Sequence, residues 1–177
     1  MANQQRTRRK VMAVVGSGSS LDETLEQVCV DLGKAAIDAG FRLANGGLGG
    51  VMAAVSRGAH RSEQYREGDV VGILPGYDAA SANPDVDLAI PTGMGIARNV
   101  VLVSTSDVVV AVGGGSGTLS ELALAWQLGK PIVGVSAGGG WAAKLAGASI
   151  DDRRRDTIAD AETAEQAVAH AVALTSS

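Results

Sequence analysis

Val108-Val109-Val110-Ala111-Val112 runs without a polar residue into Gly113-Gly114-Gly115-Ser116-Gly117-Thr118, and the apolar segment Leu122 to Leu128 follows. A mostly β-branched run with no polar side reads as a central strand buried on both faces, the habit of parallel sheets covered by helices. The glycine-rich stretch reads as a loop and the segment behind it as a helix. Strand, loop and helix in that order aim several backbone N–H groups and the positive end of a helix dipole at one small volume, where a phosphate is the natural occupant.

The pattern recurs along the chain. Val11 to Val15 ends in Gly16-Ser17-Gly18-Ser19-Ser20, after which Leu21, Leu25, Val28, Leu32, Ala35, Ala36 and Ala39 return at helical spacing. Ser20 with Glu23 has the spacing of a capping box, and Gly40 supplies the helix stop. Phe41 to Ala44 reads as a strand opening through Asn45-Gly46-Gly47-Leu48-Gly49-Gly50 into a helix over Val51 to His60. Asp69 to Leu74 and Val86 to Ile90 read as strands, the first closed by Pro75-Gly76. Gly93-Met94-Gly95 leads to Ile96 to Ser104, read as helical because it must connect two strands of one sheet. Pro131 to Ser136 gives a strand after a helix ended by Gly129, Thr157-Ile158-Ala159 a short last strand, and Thr163 to Leu174 an amphipathic helix. Such alternation predicts an α/β, single-domain, doubly wound Rossmann-like fold with a mainly parallel sheet over 11–177, preceded by a flexible basic tail over 1–10. Ligands of such sheets gather outside the carboxyl ends of the strands, where Ser17 to Ser20, Gly46 to Gly50, Pro75-Gly76, Gly93 to Gly95 and Gly113 to Thr118 converge.

Composition narrows the function classes. The chain has 177 residues, 46% of them hydrophobic but only 3% aromatic, so Val, Ala, Leu and Ile must build the core. Glycine, at 24 residues, clusters between apolar runs with no collagen-like period, which marks it as loop chemistry. No apolar run reaches the roughly 18 residues of a membrane helix, and no secretory apolar region follows the start, so a cytoplasmic protein without membrane contact is expected. Cys29 has no partner cysteine and sits at an apolar helical position. A net charge of −4 argues against a general nucleic-acid binder, with Arg6, Arg8, Arg9 and Lys10 read as a solvated run and Arg153 to Arg155 balanced by Asp151, Asp152 and Asp156. His60 and His170 lie in different predicted helices, so no metal and no cofactor are expected.

Neither glycine loop is a Walker A motif, since no Gly-Lys-Ser/Thr follows, and neither has the full dinucleotide spacing with its acid. Thr118-x-x-Glu121 reads as a capping box, or as a carboxylate one turn inside a phosphate-binding helix and within reach of the sugar that the phosphate carries. Arg98 reads as a helix-surface residue, or as a crevice cation that pairs with phosphate or with Glu121. Trp126 suits either the core or an interface, and Trp141 either a cover for the crevice or a cap on the sheet.

Gly46-Gly47 with Gly50-Val51-Met52, Val71-Gly72-Ile73-Leu74-Pro75, Arg98-Asn99 and Gly114-Gly115-Ser116-Gly117-Thr118-Leu119-Ser120-Glu121 occur in an order that resembles the Lonely Guy (LOG) superfamily, often misnamed lysine decarboxylases. The resemblance covers about Val11 to Val135. It implies a phosphoribohydrolase in which Arg98 and Glu121 serve cleavage of the N-glycosidic bond of a nucleoside 5′-monophosphate, giving free base and ribose 5-phosphate. Gly114, Gly115, Ser116, Gly117 and Thr118 would hold the phosphate, with Gly16, Ser17, Gly18, Gly46, Gly47 and Asn99 completing the nucleotide site. Arg98-Asn99 stands where those enzymes usually have Arg-Lys, and Val112-Gly113 where they usually have Leu-Pro. Both features are more similar to a smaller branch that includes molybdenum cofactor carrier proteins, which implies the alternative of a non-catalytic carrier for a phosphorylated pterin. The resemblance further implies a homodimer or higher homo-oligomer.

Overall fold

The computed structural model describes residues 8–176, in which strands and helices alternate. The order is β1 (Val11–Gly16), α1 (Glu23–Asp38), β2 (Arg42–Asn45), α2 (Val51–Ala59), β3 (Val70–Leu74), β4 (Leu88–Pro91), α3 (Arg98–Thr105), β5 (Val108–Val112), α4 (Ser116–Gln127), β6 (Ile132–Val135), α5 (Gly140–Leu145), β7 (Ala159–Ala161) and α6 (Ala164–Thr175). The strands form a single-domain, seven-stranded sheet in the order β4-β3-β2-β1-β5-β6-β7, with every neighbouring pair parallel. The chain builds outward from β1 to β4, returns to the other side of β1 with β5, and builds outward again to β7. Strand order therefore reverses between β1 and β5, the position at which doubly wound sheets open a crevice. Gly16 pairs with Val112, so the loops after β1 and β5 leave the sheet at one level.

Side-chain alternation along the strands fills two cores. Met12, Val14, Val108, Val110 and Val112 point to the face covered by α1, α2 and α6, whereas Ala13, Val15, Val109 and Ala111 point to the face covered by α3, α4 and α5. Every residue of β5 is buried, which is the reason its sequence carries no polar position. Helices α1 and α2 touch backbone to backbone: a Cβ on Gly33 would lie 2.0 Å from the Val55 carbonyl oxygen, and one on Gly58 would lie 2.0 Å from that of Val30.

Several local expectations need correction. The N-cap of α1 is Asp22, which accepts from the Leu25 N–H, so Ser20 and Glu23 do not form the box. Helix α3 starts only at Arg98, after a short 3-10 turn over Gly95–Ala97, since the glycines before it tighten the chain. The last strand lies at Ala159–Ala161 rather than Thr157 to Ala159, because it pairs with Val133 to Val135 of β6. The basic tail falls largely outside the described residues. Its end is tied down: Arg8 pairs with Asp107, and Arg9 with Asp69 and the carbonyl of Phe41. Trp126 belongs to the core, its indole N–H donating to Asp151 at 2.7 Å beneath the Arg154 guanidinium.

Candidate functional site

A crevice of about 470 Å³ opens at the carboxyl ends of β1, β2, β3 and β5, and all five expected loops contribute to its lining. Helices α1, α2 and α4 each begin at a glycine-rich turn beside it, yet their first turns differ. The N-terminus of α1 is occupied by the Asp22 carboxylate, and Glu23 and Glu26 follow in its first turn. That of α2 is engaged by the β1–α1 loop, since the Val51 N–H donates to the Ser17 carbonyl at 2.9 Å. In α4 Gly115 holds the cap position, no side chain caps the helix and no acid lies in its first turn. The first helical bond of α4 runs from Leu119 N–H to the Gly115 carbonyl, leaving the N–H groups of Ser116, Gly117 and Thr118 without a helical partner at the crevice wall. Such a terminus can take two or three anion oxygens.

The glycines around it are positional. Gly114 has φ +91°, and a Cβ there would meet the Thr118 hydroxyl at 2.2 Å. The carbonyls of Gly113 and Gly114 accept from the N–H groups of Ala142 and Trp141, so the start of α5 holds the loop from behind. Trp141 itself packs on the α5 side of the sheet and does not line the crevice. Opposite, Gly50 has φ +59° and lies so close to Ser17 and Ser19 that a Cβ would be 2.3 and 2.4 Å from their carbonyl oxygens. The buried Asn45 side chain shapes the same turn by accepting from the Gly47 N–H at 2.8 Å and donating to Ser56.

Arg98 and Glu121 meet at the crevice floor, with Nη1 donating to Oε1 at 3.0 Å and their side chains only 13% and 7% exposed. Gly46 makes room for the guanidinium: a Cβ there would stand 2.6 Å from Arg98 Nη2. Burial pushes the Glu121 carboxyl up to about 7, and the charge and hydrogen bond of Arg98 only partly offset that shift. Arg98 Nε is buried without a partner among the described residues. Beside this pair, Asn99 donates to the Ser120 hydroxyl at 2.9 Å. Thr118 and Glu121 do not form a capping box, because α4 starts at Ser116 and places Thr118 at its third helical residue.

Gly16, Ser17, Gly18, Gly46, Arg98, Asn99, Gly115, Ser116, Gly117, Thr118 and Glu121 all line the crevice, whereas Gly47 and Gly114 stand behind the lining and shape it. Leu48 and Pro75, in loops expected at the crevice, and Met52 and Ile96, which sequence reasoning did not single out as site residues, add apolar surface to the lining. Their signal was position: each lies in or next to a turn at the carboxyl end of a strand.

Residues 9–168 match the model of the SLOG cluster4 family. The chain belongs to this family. One relative is an uncharacterised protein of Archaeoglobus fulgidus, 41% identical over 121 residues, covering 68% of this chain and 76% of that one. Among solved structures, the molybdenum cofactor binding protein from Rippkaea orientalis is 30% identical, covering 95% of this chain and 98% of its own, with a TM-score of 0.80. The Moco carrier protein from Chlamydomonas reinhardtii is 31% identical, covering 96% and 99%, with a TM-score of 0.78. The SLOG cluster4 match spans the crevice loops, α3 and α4 alike.

Proposed function

We propose that this chain holds a phosphorylated nucleotide-like ligand in the crevice, with its phosphate on the N-terminus of α4 and its ring against Leu48, Met52, Pro75 and Ile96. The observation that carries the reading is the uncapped first turn of α4 at the switch point of the sheet. Arg98 Nε, a buried donor without a partner among the described residues, supplies a further site for a ligand oxygen. A volume of about 470 Å³ exceeds what a phosphate alone needs and falls in the range of small-molecule sites. The solved relatives named for molybdenum cofactor binding and carriage favour a phosphorylated pterin as the cargo, held without turnover.

One observation favours a second reading, phosphoribohydrolase activity. Glu121, with its carboxyl held near 7 beside Arg98, is poised to exchange a proton at neutral pH. In that reaction the carboxylate takes a proton from water, the oxygen bonds to C1′ of the ribose, the C1′–N bond breaks with its electron pair passing to the base, and the base takes up the proton that Glu121 had gained, which restores the carboxylate.

Incubation of the purified protein with nucleoside 5′-monophosphates, followed by chromatography for free base, separates the two when run beside equilibrium dialysis and pterin fluorescence of the protein from a cofactor-producing host. Bound phosphorylated ligand without base release is the result expected for carriage. Base release that Glu121→Gln abolishes would establish hydrolysis, and a folded protein that binds neither nucleotide nor pterin phosphate would overturn both.

A further inference from the structure

Two consecutive residues at the start of α3 are fastened to two consecutive residues of α4: Arg98 to Glu121 at 3.0 Å and Asn99 to Ser120 at 2.9 Å. The two rungs differ in kind. The first is an ion pair between the two charged side chains that line the crevice, and a ligand anion would compete with Glu121 for the guanidinium. The second is neutral and directional. The Ser120 hydroxyl donates its proton to the Gly117 carbonyl at 2.7 Å, which turns an oxygen lone pair toward Asn99 Nδ2. Ser120 thereby joins the carbonyl of Gly117, in the first turn of its own helix, to the residue next to Arg98. Asn99 is 7% exposed, so its amide has little access to water as a substitute partner.

We propose that Ser120 is a positioning residue for this site: through Asn99 it fixes Arg98 against Glu121 and the first turn of α4, and it keeps the start of α3 in place when Arg98 turns from Glu121 to a ligand oxygen. The ligand half of this statement rests on the reading of the crevice as an anion site, whereas the Arg98–Glu121 half does not. Without the Ser120 hydroxyl, the Asn99 amide loses its acceptor, and of the two polar rungs at the start of α3 only the ion pair remains beside the apolar packing of Leu102 and Val103 against Leu122 and Ala125. Arg98 then spends less time against Glu121, and the carboxyl, buried and deprived of its cation, moves further up.

The test compares wild type, Ser120→Ala, Ser120→Thr, Arg98→Ala and the Ser120→Ala/Arg98→Ala double variant. Two readouts are taken on the folded proteins: the Glu121 carboxyl titration by carbon-detected NMR, and equilibrium binding of AMP and of inorganic pyrophosphate. Ser120→Ala is expected to raise the Glu121 midpoint and to weaken binding roughly 3- to 10-fold, the size of one directional hydrogen bond. Threonine keeps the hydroxyl and is expected to restore both. In the Arg98→Ala background the Ser120→Ala effect is expected to vanish, since the effect runs through Arg98. A loss caused by general loosening of α4 would instead persist in that background and resist rescue by threonine, and would overturn the proposal. An unchanged Glu121 midpoint in Ser120→Ala would overturn it as well. If wild type binds neither probe while the midpoint still moves as expected, the anion-site reading fails and the positioning role of Ser120 stands.

Discussion

The loops after β1 and β5 look alike in composition, Gly16-Ser17-Gly18-Ser19 against Gly113-Gly114-Gly115-Ser116-Gly117, and they face each other across the switch point of the sheet. Their helices nonetheless begin in opposite electrostatic states. Helix α1 neutralises its own N-terminus with Asp22 and follows with Glu23 and Glu26, whereas α4 offers bare N–H groups behind Gly115. Glycine content makes close approach possible, but the cap decides whether the terminus is free to take an anion. The β1–α1 loop lines the crevice as well, but its Ser17 carbonyl engages α2 and its backbone packs against Gly50, so part of its hydrogen-bonding capacity is spent on the fold.

The sharpest way to break this contrast is to give α4 the cap that α1 has. Gly115 has an extended backbone and open space at its Cβ, so Gly115→Asp is expected to cap the helix from within. Ligand affinity should fall by on the order of a thousandfold, since two charge-assisted hydrogen bonds are replaced by a resident carboxylate. Thermal stability should hold or rise by a few tenths of a kcal/mol. Calorimetric titration together with a melting curve checks both, and a loss of affinity accompanied by a loss of stability would count against the reading.

The second prediction concerns burial of charge: the Arg98–Glu121 pair on the β5–α4 side is buried, whereas the Arg57–Glu26 pair at the start of α1 is exposed. A carboxyl raised from 4.5 to about 7 on folding binds more protons in the native state than in the unfolded one between those values. Its contribution therefore favours folding below pH 4.5 and is lost as pH rises toward 7, by on the order of 3 kcal/mol. Glu121→Gln is expected to remove that slope, which urea unfolding at pH 5 and pH 8 would measure as a difference between variant and wild type. Equal slopes would show that Glu121 titrates in the native protein much as it does unfolded.

Asp22→Ala gives the smallest effect and completes the comparison. It removes the cap of α1, at a cost of about 1 kcal/mol, and should leave ligand affinity within about twofold of wild type. A large drop in affinity would make the β1–α1 loop a ligand contact of the same rank as the β5–α4 loop.

The sheet and the five crevice loops were legible because they depend on local signals: β-branched runs, helical spacing, and glycine at the strand ends. The N-cap of α1 was misread because Ser20 and Asp22 compete for one position within three residues. Ser20 has a glutamate at box spacing and Asp22 does not, yet the fold places Asp22 under the Leu25 N–H. The tight crossing at Gly33 and Gly58 and the Asn99–Ser120 rung were invisible, since each joins segments more than 20 residues apart and leaves no periodic trace. Arg98 and Glu121 were found through a family resemblance together with their place beside the loop. Their mutual contact was one of the readings open for Arg98, and the burial that raises the carboxyl arises only when α3 and α4 pack together.

The most direct test is a backbone amide NMR titration of the protein with AMP and with a pterin phosphate, following the loops after β1 and β5 in one spectrum. The account predicts that the Ser116, Gly117 and Thr118 amide protons move downfield as they donate to phosphate, while the Glu23 to Glu26 amides stay in place. Shifts concentrated at the start of α1, with the α4 amides unmoved, would contradict it.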